Sequence, residues 1–261
     1  MDKLESIHIV TTCSDKYTKP LAVMLTSLVL NKKSQNPVKI YVIDGGISPL
    51  NKYKLVLALQ KYQIPIHFLI IDSSVFNGFR IIGYFGKENY FRILIPQLLE
   101  LDVNKAIYLD SDIILKEDVT ELWNTNIDNY CLAAVEDPAA LDRCAPLSIP
   151  PQFKYFNSGV LVFNVIKWRE NNLSDKIMHY TRSNPFKVLY MDQDALNANL
   201  FDKWLKLDPK WNFQTSYLIN PILHKIKPAI IHYTTANKPW TTGHPLQYEY
   251  YRYLSMTAWN D

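Results

Sequence analysis

Two carboxylates one residue apart, Asp110 and Asp112, interrupt the run Ala106-Ile107-Tyr108-Leu109-Asp110-Ser111-Asp112-Ile113-Ile114-Leu115, which is otherwise fit for a buried strand. Side chains in a strand alternate faces, so Asp110 and Asp112 are expected on one side and Ser111 on the other. Like charges placed that way repel unless a cation or water lies between them. A D-x-D pair at a strand end reads as a solvated turn or as a divalent-cation site, and the pair alone does not choose. His232, after Ile230-Ile231, reads as a satisfied core histidine or as a ligand. Lys238 is by default a solvated lysine, Arg92 by default a helix-surface charge, and Asp192 by default a helix N-cap.

The elements that must position these residues alternate. Ser6 to Thr12 reads as a strand, Pro20 to Asn31 as an apolar helix, and Val38 to Asp44 as a second strand ended by Gly45-Gly46. A helix is expected from Ser48 to about Tyr62, with Ser48 as N-cap and Pro49 at its first position. Ile64 to Ile71 reads as a strand, Lys87 to Leu99 as a helix and Lys105 to Leu109 as a strand. This order predicts an α/β fold with a mainly parallel sheet covered on both faces, whose ligands sit outside the carboxyl ends of the strands. Asp110, Asp112 and the turn from Thr11 to Tyr17 lie at such ends.

The second half is less regular. Cys131 to Val135 and Tyr155 to Val165 read as strands, Ile166 to Arg182 and Asp192 to Phe201 as helices, and Ala229 to Tyr233 as a late strand. Asp137 to Gln152 is rich in proline and has little periodicity, which predicts a mobile loop beside a site. The expected organisation is one domain over 1–261, divided at about 115 and 245, with an aromatic closing helix over 246–261.

Composition excludes several classes. The chain of 261 residues is 48% hydrophobic and 20% charged, which suits a substantial core and not disorder. Its net charge of +3 gives no basic face for nucleic acid. Cys13, Cys131 and Cys144 form neither a disulfide framework nor a zinc site, which favours a reducing compartment. No run of about eighteen apolar residues occurs, and the N-terminus lacks the layout of a secretory signal, so a cytoplasmic protein is expected. Tyr248, Tyr250, Tyr251, Tyr253 and Trp259 with Arg252 read as core or as a peripheral membrane contact at the inner face.

Four further segments accompany Tyr-Leu-Asp-Ser-Asp in a fixed order: Tyr155-Phe156-Asn157-Ser158-Gly159-Val160, Met191-Asp192-Gln193-Asp194-Ala195-Leu196-Asn197, Lys210-Trp211-Asn212-Phe213, and Ile231-His232-Tyr233-Thr234-Thr235-Ala236-Asn237-Lys238-Pro239-Trp240. Together they resemble the retaining glycosyltransferases of family 8, the group of glycogenin and the bacterial lipopolysaccharide galactosyl- and glucosyltransferases. The resemblance runs from the first strand to about Trp240 and implies one catalytic domain whose donor-binding half reaches to about 115 and whose acceptor-side half spans 116–245. It implies a Rossmann-like nucleotide-diphospho-sugar fold of the GT-A type, a UDP-glucose or UDP-galactose donor, and a divalent cation, Mn²⁺ with Mg²⁺ as the other candidate.

Carried over position by position, the resemblance makes Asp110, Asp112 and His232 the metal ligands, with Ser111 between them in the donor site. Two hard carboxylates and an imidazole leave room for two diphosphate oxygens, and the nitrogen tilts preference towards Mn²⁺. Lys238 then holds the diphosphate, Tyr17 stacks on uracil beside Thr11, Thr12 and Asp15, and Arg92 binds donor. Asn157, Asp192 and Gln193 map onto residues that hold the transferred sugar, where short groups offering donors and acceptors suit hydroxyls. Gln193 falls nearest the reacting carbon; a neutral amide is a poor nucleophile, so front-face attack is favoured, with the leaving phosphate taking the acceptor's proton. Thr235 stands where the family has glycine, which implies either a changed local backbone or a hydrogen bond from its hydroxyl.

The acceptor is expected to be a glycan, glycolipid or glycoprotein. A sugar-nucleotide nucleotidyltransferase would be expected to open on a glycine-rich phosphate loop, and Thr11 to Pro20 contains no glycine. A hydrolase needs two carboxylates roughly 5 to 10 Å apart across a cleft, not both on one ion. A non-catalytic subunit that binds nucleotide sugar is the remaining reading.

Overall fold

The structure, a computed structural model, describes residues 4–83, 86–241 and 243–259. Its first half contains β1 (Ile7–Cys13), α1 (Thr18–Asn31), β2 (Val38–Asp44), α2 (Pro49–Gln60), β3 (Ile66–Leu69), α3 (Ile95–Leu98), β4 (Lys105–Leu109) and β5 (Ile113–Leu115). There follow α4 (Val119–Trp123), β6 (Leu132–Glu136), β7 (Phe156–Asn164), α5 (Val165–Glu170), α6 (Leu173–Ser183) and α7 (Met191–Leu200). The last elements are β8 (Trp204–Lys206), β9 (Phe213–Gln214), β10 (Ile230–His232) and α8 (Gln247–Leu254).

The apolar runs build two cores at once because strand side chains alternate. Ile7, Ile9, Ile40, Val42, Ile107, Leu109, Val160 and Val162 face one core with α1 and α2. Val10, Tyr41, Ile43, Ala106, Tyr108, Leu161 and Phe163 face the other. The seven-stranded sheet has the order β3-β2-β1-β4-β7-β6-β8. Only β7 runs against the rest, pairing antiparallel with both β4 and β6. The expected mainly parallel α/β sheet is therefore present.

That one reversal positions the site. Because β7 runs backwards, its start reaches the edge where β1, β2 and β4 end, and the Asp110 backbone N–H donates to the Gly159 carbonyl at 2.9 Å. Along β6 the register jumps from Ala134 opposite Leu161 to Val135 opposite Asn157, a bulge that re-aims the Asn157-Ser158-Gly159 turn. A second sheet, β5-β10-β9, sets His232 of β10 opposite Ile113 of β5, and the Tyr233 N–H donates to the Asp112 carbonyl at 3.1 Å. Buried α1 ties this sheet on: the Ser27 hydroxyl accepts from the Leu115 N–H, and Asn31 donates to the Leu115 carbonyl.

Several expectations are corrected. Lys87 to Leu99 is not one helix but a 3-10 stretch, Lys87–Leu94, followed by the single turn α3, because Pro96 lacks the N–H that would continue the ladder. The helix expected from Ile166 to Arg182 breaks into α5 and α6 at Asn172, which takes a left-handed conformation (φ 49°) that asparagine tolerates. Asp110 and Asp112 do not share a continuous strand: β4 ends at Leu109, and β5 starts at Ile113 in the other sheet. The closing helix is the shorter α8, and residues 260–261 lie outside the described ones.

Asp137 to Gln152 is a packed segment and not a loose loop. A helical turn, Pro138–Arg143, is followed by Leu147 and Ile149, which bury with Ala140 against Tyr155. Its anchor is Arg143, which donates to both oxygens of Asp194 from Nε (3.3 Å) and Nη2 (2.9 Å). Asp194 is fully buried and also accepts from the Tyr155 hydroxyl and the N–H groups of Leu189 and Tyr190. Removing one partner of such a buried pair strands the other, so Arg143→Leu is expected to lower unfolding free energy by about 3 kcal/mol in chemical denaturation. Adding Asp194→Asn to it should cost less than the sum of the two single changes, because no buried charge is then left alone.

Candidate active site

Four chain segments meet at the strand-end edge. Ligand atoms of Asp110, Asp112 and His232 all lie within 4.8 Å of one another. His232 Nε2 is 3.4 Å from Asp112 Oδ1 and 3.6 Å from Asp110 Oδ2, so the ring nitrogen and the two carboxylates face one point. Two carboxylates and an imidazole fit a divalent ion that accepts oxygen and nitrogen ligands. Ser111 between them donates its hydroxyl to the Thr12 carbonyl at 2.9 Å, which pins the turn that brings the two aspartates together.

Protein cations already neutralise this cluster. Lys238 donates to Asp112 Oδ2 at 2.6 Å, and to the Tyr233 carbonyl. Burial alone would raise the Asp112 carboxyl, but the Lys238 ammonium and His232 hold it well below the usual carboxylate range. Arg92, only 3% exposed, reaches Asp110 from Nη2 (2.9 Å), Asp192 from Nε (3.1 Å) and the Ser158 carbonyl from Nη1 (2.6 Å). Its guanidinium lies 4.4 Å from the Tyr108 ring centroid. The surface-charge reading of Arg92 is thereby excluded.

The sugar-side residues form a second network. Gln193 accepts from the Ser158 N–H at 3.0 Å and donates to Asp137 Oδ2 at 3.2 Å. Asn157 donates to the same Asp137 oxygen at 3.3 Å, and Asp192 accepts from the Ser158 hydroxyl at 2.9 Å. Asp192 is the second residue of α7 and not its N-cap, a place taken by Tyr190; Met191 between them has a positive φ of 49°. The Asp192 carboxyl is pushed up to about 6 by burial, with Arg92 opposing and Asp110 adding to the rise.

A cleft of about 390 Å³ holds Asp110, Asp112, Asp137, Asn157, Asp192, Gln193, His232, Thr235 and Lys238 on its walls. A smaller hollow of about 80 Å³, lined by Thr12, Ser14, Tyr17 and Glu88, shares Asn89, Asp110, Asp112 and Lys238 with it. Of the residues expected around the base, Thr12, Ser111 and Tyr17 line this hollow, Tyr17 meeting Trp240 edge-on at 5.8 Å. Thr11 and Asp15 do not: the buried Thr11 hydroxyl turns to the Thr12 carbonyl, and Asp15 accepts from the Ser48 N–H and the Asn51 amide at the start of α2. Thr235 is exposed on the cleft wall without a positive φ, so this backbone does not require the glycine, and its hydroxyl turns to the Asn237 carbonyl.

Reading the sequence missed four contributors. The Tyr108 hydroxyl donates to Asp110 at 2.6 Å, Asp137 gathers two amides, and Asn212 Oδ1 lies 2.8 Å from His232 Nδ1. At Gly159 an added methyl would collide with the His232 ring and lie 2.7 Å from Asp110 Oδ2. Tyr108 and Asp137 carried a signal, lying two residues before Asp110 and at a strand end before Pro138; Asn212 and Gly159 stood inside quoted motifs with no role attached.

Two outcomes follow from this geometry. Gly159→Ala should leave the fold cooperative by circular dichroism yet weaken Mn²⁺ binding at least about tenfold in calorimetry, because the methyl separates His232 from Asp110. Asp192 binds its proton more tightly folded (about 6) than unfolded (3.8), so the stability it contributes at low pH is lost as pH rises through about 6. Asp192→Asn escapes that loss: in EDTA, its Tm minus that of the wild type should increase from pH 4 to pH 7, and a flat difference would refute the assignment.

Comparison with known proteins gives the family and the fold. Residues 8–243 match the family described as Glycosyl transferase family 8. General stress protein A of Bacillus subtilis (strain 168) is 37% identical over 278 residues, spanning 100% of this chain and 97% of that protein. Lipopolysaccharide 1,2-glucosyltransferase of Escherichia coli (strain K12) is 28% identical over 250 residues, 90% of this chain and 73% of its own length. The crystal structure of the galactosyltransferase LgtC, in complex with donor and acceptor sugar analogs, superposes with a TM-score of 0.88 at 22% identity over 97% of this chain and 96% of that one. That likeness shows the GT-A fold. With a family match across nearly the whole chain and a 37% identical relative of almost equal length, this chain belongs to glycosyltransferase family 8.

Proposed function

We propose that this chain is a retaining hexosyltransferase that moves glucose or galactose from UDP to a hydroxyl of a glycan, glycolipid or glycoprotein, with Mn²⁺ as its cation. The observation that carries this reading is the convergence of Asp110, Asp112 and His232 where the small hollow opens into the larger cleft. A nucleotide sugar has that layout: a base and ribose for the hollow beside Tyr17, a diphosphate at the junction, a hexose towards Asp192 and Gln193. Glucosyl transfer in the Escherichia coli relative supports the hexose, and the free thiols of Cys13, Cys131 and Cys144 suit a reducing, cytoplasmic setting.

Asp110, Asp112 and His232 would hold the cation, whose charge, when bound, offsets that of the two phosphates. The Lys238 ammonium, beside Asp112, would swing its positive charge onto the departing diphosphate. Asn157, Asp192 and Gln193 would fix the sugar's hydroxyls. The Gln193 amide is held at both ends and is a weak nucleophile, and the Asp192 carboxylate is engaged by Arg92 and Ser158. Neither is free to form a covalent sugar intermediate, which favours front-face attack. The acceptor oxygen bonds to the anomeric carbon as its bond to the phosphate oxygen breaks, and the hydroxyl proton passes to that phosphate oxygen. The configuration is thereby retained.

A non-catalytic binding subunit is the second reading, and turnover separates the two. With Mn²⁺, either UDP-glucose or UDP-galactose should raise the Tm and be hydrolysed slowly to UDP without acceptor, and EDTA should stop the hydrolysis. Asp112→Asn should cut UDP release at least roughly 100-fold while keeping the wild-type circular dichroism spectrum. Donor binding without any UDP release, with or without glycan acceptors, would make the protein a binding subunit instead.

A further inference from the structure

We propose that a directional chain of hydrogen bonds, Asp137–Asn157–Asn212–His232, sets the tautomer of the metal-facing histidine, making Asn212 a positioning residue. This deepens the reading of Asp110, Asp112 and His232 as a cation site and rests on it. A neutral imidazole ligates through one nitrogen only when its proton sits on the other. His232 Nε2 faces the carboxylates, so ligation of a cation there requires the proton on Nδ1. The partner of Nδ1 is Asn212 Oδ1 at 2.8 Å.

An asparagine amide can be turned end for end, so something must hold Asn212 with its oxygen towards His232. The Asn212 amide nitrogen donates to Asn157 Oδ1 at 2.9 Å, and that same oxygen accepts from the Gly159 backbone N–H at 3.0 Å. A backbone N–H can only donate, so Asn157 must present its oxygen there. Its own amide nitrogen then points to Asp137 Oδ2, which accepts at 3.3 Å. A donor at Gly159 and a carboxylate at Asp137 thus fix Asn157, Asn157 fixes Asn212, and Asn212 fixes the proton on Nδ1. Asn212 is fully buried and Asn157 nearly so, so water does not supply a competing partner. Flipping any one amide would set donor against donor or acceptor against acceptor.

The chain joins the two halves of the cleft. Asp137 Oδ2 also accepts from Gln193, so the carboxylate beside the hexose site is three hydrogen bonds from the ring that faces the cation. Asn212 does not line the cleft and touches no substrate position; it acts through His232.

The test uses the whole chain without donor sugar. Long-range ¹H–¹⁵N spectra of the imidazoles in the metal-free protein should show His232 with its proton on Nδ1. Asn212→Leu keeps the volume and removes the acceptor; it should shift His232 towards the Nε2–H form and weaken Mn²⁺ binding, followed by the electron paramagnetic resonance of free Mn²⁺, about 10- to 100-fold. Asn212→Asp retains an acceptor for Nδ1–H and should keep the Nδ1–H signal, but it sets its second oxygen against Asn157 Oδ1 and should lower the Tm. A wild-type His232 protonated on Nε2 overturns the proposal even if Asn212→Leu fails to fold, as does an Asn212→Leu protein with wild-type Mn²⁺ affinity. Absence of Mn²⁺ binding by the wild type, with the Nδ1–H tautomer present, would instead reject the cation site and leave the hydrogen-bond chain standing.

Discussion

Arg92 is the interaction on which the cleft depends. A guanidinium that is 3% exposed is costly to bury unless its N–H groups find acceptors, and here two carboxylates and the Ser158 and Asn89 carbonyls supply them. The same side chain therefore fixes three separate things: Asp110 at the end of β4, Asp192 at the start of α7 and the Ser158 turn at the start of β7. Tyr108 closes the arrangement from below, its ring against the guanidinium and its hydroxyl on Asp110. Without a cation at this point, Asp110 and Asp192 would be two buried like charges with nothing to hold them near one another.

Lys238 plays the corresponding part for Asp112, so each carboxylate of the D-x-D pair has its own protein cation. The two cations offset part of the negative charge that Asp110, Asp112 and Asp192 bring together. The two cations differ in kind. Arg92 is a planar fork saturated by fixed acceptors, so it can only hold. Lys238 is a point charge on a four-carbon stem at the cleft wall, paired with Asp112. Strain gathers at the same place, in the positive φ of Met191 immediately before Asp192, and the space over Gly159 leaves no room for a side chain.

Legibility in the sequence followed the strength of local signals. The strand Val38–Asp44, the strand Lys105–Leu109 and the Ser48-Pro49 helix start stand where the apolar runs and the cap residues put them. The short strands β9 and β8 were invisible because so short a segment has no period, while β5 was merged into the run from Ala106; all three exist through pairing partners far away in the chain. Arg92 looked like a helix-surface charge because a lone arginine carries no mark of burial; only the arrival of Asp110 and Asp192 from other segments removes it from water. Asn212 is illegible for a related reason. Its role lies wholly in contacts with Asn157 and His232, which are 55 and 20 residues away. The proline-rich segment after Asp137 misled in the other direction, since irregular backbone there is held by a buried ion pair and not by regular hydrogen bonds.

That ion pair bears on how the cleft wall is held. Asp194 stands one helical turn into α7, two residues after Asp192 and next to Gln193, and is gripped by Arg143 from the segment following Asp137. The segment's other end is held as well, because Asp137 itself accepts from Gln193 and Asn157. Both attachments converge on the first turn of α7. The segment gives Asp137, Ala139 and Ala140 to the cleft wall. The two buried carboxylates, Asp137 and Asp194, therefore hold that part of the wall in register with Gln193 and Asp192 even though its backbone is irregular.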